Sequence, residues 1–365
     1  MVSRTVTRAL GALALAPACA VLATAGPVSA QDLAGKTVEY VIPFSESGGS
    51  ARWANFYAPF LSKELPGEPT VVVRYRPGAG STEGANWFQR QTTPDGTLIF
   101  GTSGSTQFPY LLGDPRVRYE YKDWKVALAS GTGGVVYLPP DLGARFDGDM
   151  DGLKDESYIY GSQGATTLDL VPLLAFKMLG LSVDPVFGIK GRGDGRLMFE
   201  RGEANIDYQT SSAYIKTVIP LVEQKLAVPI FSFGGLDDDG NIVRDPTFPD
   251  LPSFKEVCEA TEGCEASGTA WEAWKAFFAA GFAAQKLIYL PGTAPQEVVD
   301  MYTAAIDRIV ARDDFKERAA DELGEYPQMT GKAALAAHNQ AITVSAEAKQ
   351  FILDWLQEDY GVSIK

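Results

Sequence analysis

The sequence predicts an α/β fold of two lobes hinged around a ligand cleft. Three observations point to it. Apolar, β-branched runs alternate with helix-length segments over residues 36–113, the same plan recurs over residues 135–226, and in both stretches the runs end in small polar turns. Strands separated by such helices form a parallel sheet, and ligands bind beyond its carboxyl ends.

The first thirty residues carry Arg4, Arg8, an Ala/Leu-rich stretch and the ending Val28-Ser29-Ala30, and are expected to be a secretory signal peptide. No later run offers the ~20 apolar residues of a membrane span. An exported chain of 335 residues (365 less 30) exceeds what one core usually serves. Residues 31–134 and 228–365 are expected to form one discontinuous lobe, and 135–227 the other.

In the first lobe TVEYVIPF and PTVVVRYR read as strands, with the helical ARWANFYAPFLSKEL between them. GANWFQRQ follows the turn RPGAGS as a helix, and TLIFGTSG is a buried strand ending in a Gly/Ser/Thr turn. In the second, YIYGSQGATTLDLVPLLAFKMLG reads as strand, polar turn and helix, with Thr166, Thr167 and Asp169 placed to cap it. DPVFGIKGRGDG is a strand with a Gly-rich loop, RLMFERG a helix, and ANIDYQTSSAYI a short strand leading into a Ser-rich turn. VPIFSFGG is one more strand, followed by a proline-punctuated loop. The final third reads as mainly helical, beginning with TAWEAWKAFFAAGFAAQKLI.

Composition excludes several functions. The formal charge of −14, or −16 without Arg4 and Arg8, argues against nucleic acid or anionic lipid as partner. The single histidine, His338, rules out a metal centre built on several histidines, and its Ala-rich helical surroundings suit a surface or packing role. GxSxG, HExxH and GxxxxGK[ST] are all missing, and KGRGDG has the wrong spacing for a nucleotide loop. No cofactor and no metal are expected, and a secreted hydrolase is the remote alternative. Cys258 and Cys264, six apart, are expected to form a disulfide in an oxidising compartment, with two free thiols as the alternative.

What remains is a set of turns bearing hydroxyl, amide and glycine groups: Ser45, Ser47, Ser50, Thr102, Ser103, Ser105, Ser162, Gln163, Thr166, Thr167, Gln209 and Thr210. Converging neutral donors suit a carboxylate. Phe44, Trp53, Phe108, Tyr110 and Tyr208 are candidates to wall an apolar ligand body. The competing reading is that the turns cap helices and the aromatics fill the core.

VEYVIPFSESGGSARWA, VVVRYRPGAGSTEGA and TPDGTLIFGTSGS, together with YGSQGATTLDL, GRGDGRLMFERGEANIDY, FPDLPSFKEV and PGTAPQEVVDMYTAAI, resemble the substrate-binding receptors of the tripartite tricarboxylate transporters, the Bug or TctC family. The resemblance spans the mature chain in order. It implies a monomeric periplasmic binding protein of type 2, a Venus flytrap. Such a receptor captures a small organic carboxylate and hands it to large and small integral membrane transporter subunits; the main alternative is a periplasmic sensor that uses the same cleft to signal to a membrane partner. Residue by residue it points to Ser45, Glu46, Ser47, Gly48, Gly49 and Ser50 after the first strand, and to Thr102, Ser103 and Gly104. In the second lobe it points to Ser162, Thr166 and Thr167, and to Asp207, Tyr208 and Gln209. The chain departs from the family where Ser50 takes the place of a Thr and Ala51 that of an Asp, and where Glu46 adds a carboxylate. Glu46 is open to three roles: facing solvent at the loop rim, supporting the helix start, or meeting a cationic or hydroxyl group on the ligand.

Overall fold

The computed structural model describes residues 1–3, 5, 32–237 and 239–364. The expected leader lies almost wholly outside them. In chain order, β1 (Thr37–Ile42), β2 (Thr70–Tyr75), β3 (Leu98–Gly101) and β4 (Lys125–Ser130) belong to one sheet, and β5 (Gly134–Leu138) begins another. The strands β6 (Ser157–Ser162) and β7 (Ser182–Phe187) pair with each other, while β8 (Asp207–Thr210) and β9 (Val228–Ser232) flank β5. After a small hairpin of β10 (Gly235–Leu236) and β11 (Ile242–Val243), β12 (Lys286–Leu290) and β13 (Gln328–Met329) return to the first sheet. Its order is β13-β4-β12-β3-β1-β2.

β1 pairs in parallel with β2 and with β3, as strand–helix–strand alternation predicts. Their connections include α1 (Gly49–Glu64) and α2 (Thr82–Gln89), and α3 (Gly104–Leu112) follows β3. α1 buries Trp53, Phe56, Tyr57, Phe60 and Leu61, the i, i+3, i+4 face of an amphipathic helix, in the core beneath β1.

Two stretches differ from expectation. KLIYL, whose first three residues end a segment read as helix, is β12, antiparallel to both β3 and β4 and central to the first sheet. It follows directly on an apolar helix, Gly268–Phe282, and a short buried run next to such a helix shows no period of its own. Val228–Ser232, expected to begin the return to the first lobe, instead pairs with β5 in the second sheet. The chain rejoins the first sheet only at β12.

Gly268–Phe282 shares one core with β5, β6 and β8, the helix Leu170–Met178 and the closing helix Ala346–Tyr360. Trp271, Trp274, Phe278 and Phe282 stack along it with centroids 5.1–5.2 Å apart, and Trp274 Nε1 donates to the Val171 carbonyl at 3.2 Å. Cys258 and Cys264 are joined by a disulfide just before this helix.

His338 is buried on the helix Gly331–Ala341, its Nδ1 paired with the Tyr289 hydroxyl at 2.6 Å and its ring stacked on Tyr121. Burial lowers its pKa to about 4. Below the unfolded value of about 6.5 the unfolded chain takes a proton that the folded chain refuses. Stability from this group is therefore complete above pH 6.5 and is lost as the pH falls towards 4. Urea unfolding should show a loss of up to about 2 kcal/mol between pH 7 and 4.5 that His338→Asn reduces.

Candidate functional site

Three helices aim their amino ends at one point between the two sheets. α1 starts at Gly49 with Gly48 as N-cap, α3 starts at Gly104 with Ser103 as N-cap, and the helix Arg192–Glu200 starts after Gly191. Neither Gly48 nor Gly191 offers a side-chain acceptor, so the first-turn N–H groups there are left to backbone, water or ligand. Each helix end also carries about half a positive charge. A cavity of about 20 Å³ lies where they meet, with room for about one water. Its walls are Phe44, Gly48, Gly49, Ser50, Ser103 and Ser105 from one side, and Gln163, Leu168, Gly191, Arg192 and Thr210 from the other, with Gln285 beside them.

The lobes touch around this cavity. Ser45 N donates to the Lys190 carbonyl at 3.1 Å, and Ser47 Oγ to Asp194 Oδ1 at 3.0 Å. Ser105 Oγ donates to Gln163 Oε1 at 3.3 Å and accepts from Leu168 N at 3.1 Å. At the rim Thr166 bonds both Asp114 and Arg116, at 2.8 and 2.9 Å. The approach needs glycine: a Cβ on Gly49 would stand 2.3 Å from Thr210 Oγ1, and one on Gly193 would stand 2.4 Å from the Ser47 carbonyl.

Behind the cavity Arg192 is held by a buried anionic cluster. Its guanidinium pairs with Asp207 and, at 3.5 Å, with Asp169, donates to the carbonyls of Gly161 and Tyr208, and lies 4.8 Å from the centroids of Tyr160 and Tyr208. Burial raises the Asp207 pKa, opposed by Arg192 and by hydrogen bonds from Tyr137 and Gln209. For Arg192 burial works the other way, but Asp207, with further help from Tyr160 and Asp169, outweighs it and keeps the guanidinium charged. Among the described residues several buried side-chain polar atoms are without a partner, and two of them, the donors Gln163 Nε2 and Arg192 Nε, belong to residues that line the cavity. Among the described residues no group of three or more metal-ligating side chains occurs.

Eight of the candidate residues therefore line the cavity: Phe44, Gly48, Gly49, Ser50, Ser103, Ser105, Gln163 and Thr210. Ser45 and Ser47 face Asp194 instead. Glu46 is exposed and has no side-chain bond, because the serines on either side of it turn inward. Thr102 pairs with the Tyr121 hydroxyl at 2.9 Å, and Gly104 packs against Leu168. Ser162 and Thr167 bond within their own turn, and Thr166 serves the rim. Asp207, Tyr208 and Gln209 support Arg192 from behind, with Gln209 Nε2 donating to the Arg192 carbonyl at 2.8 Å. Of the other aromatic candidates, Trp53 and Phe108 belong to the cores.

Leu168, Gly191, Arg192 and Gln285 escaped the reading of the sequence. The signal for Arg192 was present in KGRGDG, where an arginine flanked by glycines opens a helix after a strand.

No family profile and no curated protein matches the chain. Solved structures do. The periplasmic binding protein BugD matches with 20% identity and a TM-score of 0.62, over 90% of this chain and 98% of its own. MatC from Rhodopseudomonas palustris, solved with malate, matches with 16% identity and a TM-score of 0.61, over 87% and 98%. A second R. palustris protein, solved with adipate, matches with 16% identity and a TM-score of 0.65, over 90% and 98%. The chain thus has the two-lobe α/β fold of periplasmic binding proteins. Among the described residues no helix is long and apolar enough to cross a membrane.

Gly193→Ala should prop the lobes apart, since its methyl group meets backbone rather than a movable side chain. Small-angle scattering should then give a larger radius of gyration than the parent, and an unchanged value would show that the cleft tolerates the added group.

Proposed function

We propose that this chain is a solute-binding receptor of the Bug/TctC kind, which captures a small organic carboxylate in the periplasm by closing its lobes and delivers it to a tripartite tricarboxylate-type membrane transporter. The observation that carries this reading is the convergence of three helix amino ends on one cavity, two of whose lining residues, Gln163 and Arg192, each keep a buried donor without a partner. Fixed donors of this kind match a carboxylate without requiring a mobile charge, and each bond to a charged oxygen contributes about 1.5–3 kcal/mol. Closure removes water, which strengthens those bonds. The cavity of about 20 Å³ has room for about one water, so the lobes have to part for an organic acid to enter, and closure then adapts to the ligand.

Support for the ligand class comes from the fold relatives solved with malate and adipate. His338 is packed behind the sheet against Tyr289 and Tyr121, away from the cleft. Binding without turnover is the reading favoured by the likeness to solved binding proteins.

A thermal-shift screen of acetate, malate, adipate and citrate tests it. A ligand at a hundred times its Kd adds about 2.7 kcal/mol, which moves the midpoint of a chain this size by several degrees. No shift with any of them would refute the carboxylate reading. Ser50→Ala and Ser103→Ala should each weaken calorimetric affinity roughly ten-fold or more, as expected for one lost bond to a charged acceptor. Glu46→Gln should leave the affinity within about twofold, since an exposed side chain contributes little.

A further inference from the structure

Lys286 is the first residue of β12 and is 2% exposed. Because β12 runs antiparallel to β3 with Ile288 opposite Gly101, Lys286 lies level with the Thr102-Ser103 turn at the cleft. Strand alternation puts its side chain on the face of Ile288 and Leu290, which pack with Tyr40, Trp53 and Tyr57. Among the described residues it forms no ion pair. Its Nζ donates to Gln285 Oε1, and Gln285 lines the cleft cavity. One of three ammonium donors is thus engaged, one side chain away from the cavity.

The other charged groups nearby are committed elsewhere. Arg192 is engaged by Asp207 and Asp169, and Asp194 by Ser45, Ser47 and the Lys190 N–H. Arg52 of α1 is the exception: among the described residues it forms no ion pair and its buried Nε is without a partner, but unlike Gln285 it does not line the cavity; Glu46 is exposed. Tyr40 of β1 and Tyr57 of α1 stay protonated, because burial raises both. His338, on the opposite face of β12 against Tyr289, has its pKa near 4. An anion in the cavity would supply the counter-charge that Lys286 lacks.

Resting on the carboxylate reading above, we propose that Lys286 is the positioning cation of the site, acting through Gln285, and that capture of the anion draws a proton from the solvent onto Lys286. A buried amine without a counter-ion sheds its proton readily, and burial brings this one to a pKa of about 7. The neutral amine dominates above that pH and the ammonium below it. Since the anion favours the ammonium, affinity falls as the pH rises: Kd should increase roughly tenfold between pH 6 and 8. Asp207, whose pKa is also raised, is the other group able to add pH dependence, and substitution of Lys286 separates the two.

The test uses the purified protein labelled with 13Cε-lysine, with the four acids of the screen as probes. In the wild type the Lys286 resonance, assigned by its loss in Lys286→Met, should titrate near pH 7 and move up by about two pH units with a bound probe. Calorimetry at pH 7.5 in phosphate and in Tris should give different heats, reporting proton uptake. Lys286→Met should lose both the uptake and the tenfold pH dependence while still binding the acid, and its melting temperature without ligand should rise at pH 6, where the wild type buries a charge. An acid that binds without moving the Lys286 titration, or a Lys286 that titrates near 10 in the free protein, overturns the inference and leaves the receptor reading standing. If no acid binds, the receptor reading falls and this inference with it.

Discussion

The pairing of Arg192 with Asp207 and Asp169 is the interaction around which the second half of the cleft is built. A guanidinium this deep would cost several kcal/mol if left alone. Two carboxylates, two carbonyls and two tyrosine rings surround it instead. Each carboxylate then needs donors of its own. Tyr137 and Gln209 serve Asp207, while Ser162 Oγ and the Gln163 N–H serve Asp169 at 3.1 and 2.6 Å. Holding one charge therefore sets the ends of β6 and β8 and the start of the Arg192–Glu200 helix, and so the far wall of the cavity.

The near wall has no comparable charge cluster. It is made of helix beginnings after β1 and β3, and its electrostatics come from backbone dipoles. The two walls meet only because glycines at 49, 191 and 193 let backbone approach side chain or backbone closely. Such contacts include few apolar side chains, so they are suited to breaking and reforming as lobes move. Arg192, already neutralised by its acids, presents one spare N–H rather than a free charge. That is why a second cation behind Gln285 matters for an anionic ligand.

Much of the architecture was legible in the sequence, and for local reasons. β1 to β3 and the helices between them follow from apolar runs bounded by polar turns. The small polar turns after β1 and β3 begin where apolar runs stop, and Gly48 to Ser50, Ser103 and Ser105 within them line the cavity. KLIYL was not legible, because a five-residue strand beside an apolar helix shares its hydropathy. Neither was the partner of VPIFS, since a buried strand carries no mark of the sheet it joins.

The sequence alone determined the alternation of elements, the helix-start turns and the absence of familiar catalytic motifs, because each depends on neighbouring residues and their period. Only the tertiary structure decided which of these turns face one another. Contacts such as Ser47 with Asp194, Ser105 with Gln163 and Arg192 with Asp207 join residues that are 147, 58 and 15 positions apart. The same holds for side-chain direction. Ser45 and Ser47 turn inward while Glu46 between them turns out, a choice made by the acid across the cleft and not by the six-residue stretch itself.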